Sequence, residues 1–193
     1  MASSMLDLVV RLDTAFFVFF NQILANPFFD VLMPLVTNGE NWVIAVSLAV
    51  ILLLYNHKWK GLLITLGIVA VFALCDQSSA HWLKPVFKRV RPCHVVDGVR
   101  ALIGCSGAYS LPSAHATNSF GCAVWLSYWF PPLRWVFFGL SAVVSLSRVY
   151  VGVHYPLDVL GGWILGGIIG LMAVTVAEWV RRRRRANQAK HES

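Results

Sequence analysis

The chain has 193 residues, 58% of them apolar and only 13% charged, with a mean hydropathy of +0.66 and a net charge of +7. A soluble domain carries about 25% charged residues, so this composition excludes one and points to an integral membrane protein. The positive charge does not read as a nucleic-acid signal: Arg181 to Arg185 come directly after the last apolar run, where they read as a cytoplasmic stop and a contact for anionic head groups.

Residues 1–39 are read as two short amphipathic helices lying at the membrane interface and broken at Asn26-Pro27. One span from Thr14 to Thr37 would bury Asn21, Gln22 and Asp30. No signal peptide is evident, because there is no basic n-region and no clean cleavage site. The first span is expected from about Asn38 to Tyr55, and the second from Gly61 to about Leu83. The second ends in Asp76, Gln77, Ser78, Ser79 and His81 before Lys84. Helical periodicity puts Asp76, Gln77 and Lys84 on one face, which should point into the bundle. Pro92 stops the helical stretch after Lys84, with Arg91 just before the stop. A loop from Cys93 to Leu111 leads to Leu111-Pro112-Ser113-Ala114-His115. There a third span opens and runs to about Phe130, with free N–H groups at its start. The fourth span is expected over about Trp135 to Val153, with Ser141, Ser145 and Arg148 on one face. The fifth is expected over Asp158 to Val180, where Gly162, Gly166 and Gly170 form a packing seam.

The expected fold is therefore an all-α membrane protein, a bundle of about five transmembrane helices preceded by short interfacial amphipathic helices. It is a single domain over 1–193, with the bundle over 40–180 and a basic tail over 181–193. If Arg181 to Arg185 are inside, then Lys84 to Leu111 and His154 to Asp158 lie outside. The loop cysteines Cys93 and Cys105 would then sit in an oxidising compartment and could pair, while Cys75 and Cys122 stay free.

Alternation brings three stretches to one side: Lys84 with Arg91, Ser113 to His115, and Arg148 to Asp158. Three cations, a helix start, two histidines and one carboxylate suit phosphoryl transfer. Asp158 lies four residues after His154 and could orient its ring. The acidic residues are scattered and the histidines lack ligand spacing, so no metal and no cofactor is expected.

The pattern Lys84…Arg91-Pro92, Pro112-Ser113-Ala114-His115 and Ser147-Arg148…His154…Asp158 resembles the type 2 phosphatidic acid phosphatase family, which shares its site with vanadium haloperoxidases. The resemblance covers residues 84–158 by motif and the flanking spans by layout. It implies that His154 attacks phosphorus and becomes a phosphohistidine, that Asp158 orients it, and that His115 protonates the leaving oxygen. It implies that Lys84, Arg91, Ser113, Ala114 and Arg148 hold the phosphoryl group. Ala114 stands where the family most often has glycine, which keeps the backbone donor. Lys88, Arg89 and Arg100 fall outside the motif and read as solvated or lipid-facing charge, and His81 and His94 receive no role. Asp76 reads equally as a buffer for Lys84 or a plain interhelical hydrogen bond.

The expected substrate is a lipid phosphate in a bacterial inner membrane, taken from the outer face, with undecaprenyl diphosphate the specific choice. Phosphatidylglycerophosphate, lipid A and phosphatidate are alternatives. Rival functions are a lipid phosphotransferase and a non-catalytic lipid-binding transport or scaffold protein. The nucleic-acid partner class is excluded.

Overall fold

The computed structural model describes residues 2–191, and every regular element among them is helical. Helix α1 (Ala2–Val18) runs into a π-helical turn (Phe19–Ile23), and α2 is Pro27–Thr37. Then come α3 (Val43–Gln77), a π-helical turn (Ser78–Leu83), and the short α4 (Lys84–Phe87) and α5 (Pro92–Val95). Helices α6 (Ala114–Trp129), α7 (Arg134–Tyr150) and α8 (Pro156–His191) complete the bundle.

The chain bends by 114° between α1 with its π turn and α2. The break falls at Asn26-Pro27, where the sequence predicts it. Asn26 caps α2 by accepting from the Phe29 N–H at 3.0 Å, and Pro27 takes the first helical position, where no N–H is needed.

Helix α3 carries the first two spans. Lys58, with φ 45° and ψ −121°, is not helical and divides α3 into arms over 43–57 and 59–77. The arms fold back on each other: a Cβ on Gly61 would overlap the Leu53 carbonyl. The first arm exposes Ile44, Val46, Leu48 and Ile51, an outward face that only hydrocarbon suits. Among the described residues α3, α7 and α8 are long and apolar enough to cross a membrane, and the shorter α6 packs with them.

Helices α6 and α8 form the centre, because small residues let their backbones touch. A Cβ on Gly162 would meet the Ser113 carbonyl at 2.7 Å, and one on Gly170 would meet the Gly121 carbonyl at 2.9 Å. The glycine seam read from the sequence is thus a close helix crossing. Polar side chains tie the remaining helices to it. Trp125 Nε1 donates to the Ile64 carbonyl at 3.0 Å, Trp163 Nε1 donates to Ser145 Oγ at 2.9 Å, and Ser119 pairs with Ser141 at 2.9 Å. Ser141, Ser145 and Arg148 are all buried, as their shared face requires.

One predicted face fails. Gln77 is exposed, while Asp76 is half-buried. The π turn at Ser78–Leu83 advances fewer degrees per residue than an α-helix, so a 3.6-residue periodicity cannot be carried through it to Lys84. The fourth span also ends at Tyr150, three residues before the expected limit.

Candidate active site

Three helix ends meet on one side of the bundle. Ser113 starts α6, and its N–H donates to the Asp158 carbonyl at 2.9 Å. That bond and the bare Gly162 below it place the start of α6 against the first turn of α8. No side chain caps α6, so its first backbone N–H groups, from Ala114 onward, are left for a ligand. Arg148 lies in the last turn of α7. Beyond α7, Gly152 adopts φ 88°, and a Cβ there would meet the Arg100 carbonyl at 2.8 Å. Only glycine suits both demands, and the tight turn delivers His154 beside the helix ends.

His154 and Asp158 are fully buried. Asp158 Oδ2 accepts from the Tyr155 N–H at 2.8 Å and lies 3.4 Å from His154 Nδ1. The backbone bond is one half of a capping box, with the carboxylate at the third helical position reaching back to the cap. The same side chain thus closes the helix and faces the ring. On the far side, His154 Nε2 lies 3.2 Å from Arg91 Nη1, which also donates to the Val153 carbonyl at 3.1 Å. With the proton on Nδ1 toward Asp158, the Nε2 lone pair points at the cations. Burial pushes the His154 pKa well below its ordinary 6.5, while the Asp158 hydrogen bond opposes that shift and the nearby arginines add to it.

Arg91 and Arg148 are buried as well, at 7% and 9% exposure. Arg148 Nη1 donates to Thr37 Oγ1 at 2.6 Å. Arg91 Nε, Arg148 Nε and Ser113 Oγ are all buried with no hydrogen-bond partner. Orphaned donors of this kind cost about 1–3 kcal/mol each, more when charged, unless a ligand completes them. The half-buried Lys84, His115 and Ala114 stand on the same side of the bundle. Six of the eight residues singled out from the sequence lie at or between these helix ends, and Lys84 and Arg91, from α4 and the start of α5, come up beside them. The Cys93–Cys105 disulfide is present, with Cα atoms 6.3 Å apart, and Cys75 and Cys122 are free. The only cluster of potential metal ligands among the described residues, Cys93, His94 and Cys105, is closed by that bond.

The PAP2 superfamily model matches residues 60–182, well over half the chain. This chain belongs to the PAP2 superfamily. It is 32% identical over 188 residues to a lipid A 4'-phosphatase of Bacteroides thetaiotaomicron, covering 93% of this chain and 83% of that protein. It is 34% identical over 139 residues to an undecaprenyl-diphosphatase of Sulfolobus acidocaldarius, covering 72% and 65%. Among solved structures it resembles Aquifex aeolicus LpxE with a TM-score of 0.67 and 25% identity, covering 85% of this chain and 95% of that one. It is a PAP2 lipid phosphatase, a hydrolase of lipid phosphate esters.

Around the PAP2 motif residues stands a layer that motif spacing does not reveal. Arg89 is not a solvated or lipid-facing charge. It donates to Asp158 Oδ1 at 2.9 Å, pairs with Asp13 and lies 4.0 Å from the centre of the Tyr155 ring. Asp13, itself buried, also accepts from the Leu157 N–H at 2.9 Å. Arg100 is likewise engaged, pairing with Asp30 while its N–H donates to Asn21 Oδ1 at 2.9 Å. Asn21 in turn donates to the Tyr150 carbonyl at 2.7 Å, which holds the end of α7. The α1–α2 region thus reaches the site through Asp13 and Thr37 and holds the end of α7 through Asn21 and Asp30. The available signal was the polar residues themselves, since a carboxylate in an apolar helix needs a partner. Lys88 is exposed, with φ 48°, and keeps its solvated reading.

Proposed function

We propose that this PAP2 phosphatase removes phosphate from a membrane lipid through a phosphohistidine on His154. The observation that carries the reading is the set of buried, unpartnered donors Arg91 Nε, Arg148 Nε and Ser113 Oγ beside the His154 ring. Together with Lys84 and the N–H groups opening α6, they match the oxygens of a transferring phosphoryl group. Nε2 of His154 attacks phosphorus and the bond to the lipid oxygen breaks. His115 gives that oxygen its proton, and Asp158 stabilises the charge left on the ring. Water then attacks the phosphohistidine, giving its proton to His115 and releasing inorganic phosphate. Three fixed cations offset the phosphate charge, so turnover should survive exhaustive chelation of divalent metal.

The substrate best supported is an acylated lipid phosphomonoester such as the 4'-phosphate of lipid A, because similarity to that phosphatase extends over 93% of the chain. Undecaprenyl diphosphate, the choice made from sequence, is the second reading and rests on similarity over 72%. The protein would lie in a bacterial membrane with its site facing outward, the side on which the Cys93–Cys105 bridge is stable.

The test is phosphate release by purified protein from a panel of lipid phosphates, with acid-quenched capture of a 32P-labelled protein. Release without any labelled histidine argues against the covalent route. Release from the prenyl diphosphate alone would reverse the order of the two substrates.

A further inference from the structure

Below His115 the protein holds an open cavity of about 530 Å³, lined by the end of α2, both arms of α3, α6 and α7. Its walls are largely apolar, with Val46, Phe72, Leu126, Phe137 and Leu140 among them. Ala114 and His115 form its upper end, so it is continuous with the phosphate site. Two polar residues in its wall touch each other and still have bonding capacity to spare. Asn118 Nδ2 donates to Asp76 Oδ1 at 3.3 Å, and Asn118 Oδ1 is buried with no partner. Asp76 makes no ion pair among the described residues, and that amide is the one donor its carboxylate receives there. A buried acceptor left empty in such a pair is uncommon.

The site above offers unsatisfied donors, and this cavity offers one buried acceptor without a partner, Asn118 Oδ1, beside the half-buried Asp76 carboxylate. At membrane depth such an acceptor is costly, and a hydrocarbon tail cannot supply it with a donor. The lipid that occupies it can. Asn118 lies three residues after His115, about 5 Å down the helix, so the complementary donor belongs to the linkage region and not to the tail end.

We infer that this cavity is a selectivity site, in which Asp76 and Asn118 accept hydrogen bonds from an amide N–H or hydroxyl that the substrate carries just below its phosphate. The inference rests on the lipid phosphatase reading of the site above and narrows its substrate class. A prenyl chain has no donor to offer. A diacylglycerol phosphate presents only ester oxygens, which are acceptors facing acceptors. An N-acylated or hydroxylated lipid phosphate matches. Hydrogen bonds to charged groups are worth about 1.5–3 kcal/mol, so the preference should be roughly tenfold or more.

The experiment compares kcat/KM of the full-length protein on an N-acyl sphingoid 1-phosphate and on a diacylglycerol 3-phosphate of equal chain length, with nitrophenyl phosphate as a third substrate lacking any tail. Wild type should favour the amide lipid by about tenfold. Asp76→Asn and Asn118→Leu should each bring that ratio toward one. An unchanged ratio in both variants, or a wild-type ratio at or below one, overturns the inference. Should either variant fail to fold, seen as lost turnover of nitrophenyl phosphate, the other variant and the wild-type ratio still decide. Turnover of nitrophenyl phosphate with no preference between the lipids, including turnover of neither, overturns the inference alone. No release from any of the three overturns the phosphatase reading beneath it.

Discussion

His115 stands between two chambers of opposite character. Above it, Arg91, Arg148 and Ser113 present buried donors without acceptors. Below it, Asn118 presents a buried acceptor without a donor beside the Asp76 carboxylate, in walls that are largely apolar. Each chamber is unstable in isolation in the sense that its polar groups have surrendered water without full replacement. Under the proposed reading a lipid phosphate would satisfy both at once, with the anion above and the linkage below, and recognition would be split by charge sign on either side of His115.

The sharpest way to break that division is at the boundary itself. His154→Ala should abolish phosphate release on every substrate, a loss of roughly four orders of magnitude or more. His115→Ala should lose about 10² to 10⁴ on a lipid monophosphate, whose alkoxide needs a proton. It should recover much of its rate on nitrophenyl phosphate, whose phenolate leaves unaided. Rescue of His154→Ala in place of His115→Ala would reverse the two roles.

Arg148→Met tests the upper chamber alone and should cost about 10² to 10³ in kcat. Orthovanadate, which adopts the geometry of the transferring phosphoryl group, should inhibit wild type and bind this variant much less tightly. Equal vanadate affinity in both would remove Arg148 from the anion site.

Arg89→Gln should cost about tenfold, because Arg89 holds Asp158 without touching the phosphate. The pH profile distinguishes positioning from mere structure. Asp158 favours the protonated form of His154, and Arg89 shares that carboxylate. Without Arg89 the pKa of His154 should rise, moving the acid limb of kcat/KM to higher pH. A lower rate with an unmoved limb would mean Arg89 only supports the fold.

The smallest expected effect concerns stability. Burial holds His154 neutral in the folded protein, with its pKa below the 6.5 of the unfolded chain. Between those two values the unfolded chain binds the extra proton, so stability should fall as pH drops below about 6.5. His154→Asn should flatten that fall by a few degrees in Tm between pH 6.5 and 5, measured by thermal unfolding in detergent. An equally steep fall in the variant would assign the acid sensitivity to other groups.

The gathering of the motif residues was legible along the chain. Lys84, Arg91, Ser113, His115, Arg148, His154 and Asp158 belong to short motifs at helix ends, and a helix end projects its groups in a direction that sequence spacing determines. The glycine seam of α8 and the break at Asn26-Pro27 were legible for the same reason, since both are local backbone requirements. Gln77 was misplaced because a π turn alters the angle per residue, and no residue in Ser78–Leu83 announces one. Arg89, Asp13, Asn21 and Arg100 were not legible, because each is defined by a partner dozens of residues away. The pairing of Asp76 with Asn118 was equally hidden, being a contact between two helices whose relative rotation only packing sets. Sequence by itself determined which polar groups gather and at which helix ends. Tertiary structure decided which charges are paired, which are left open, and what lies beneath His115, because burial and partnership are properties of the packed bundle and not of any one helix.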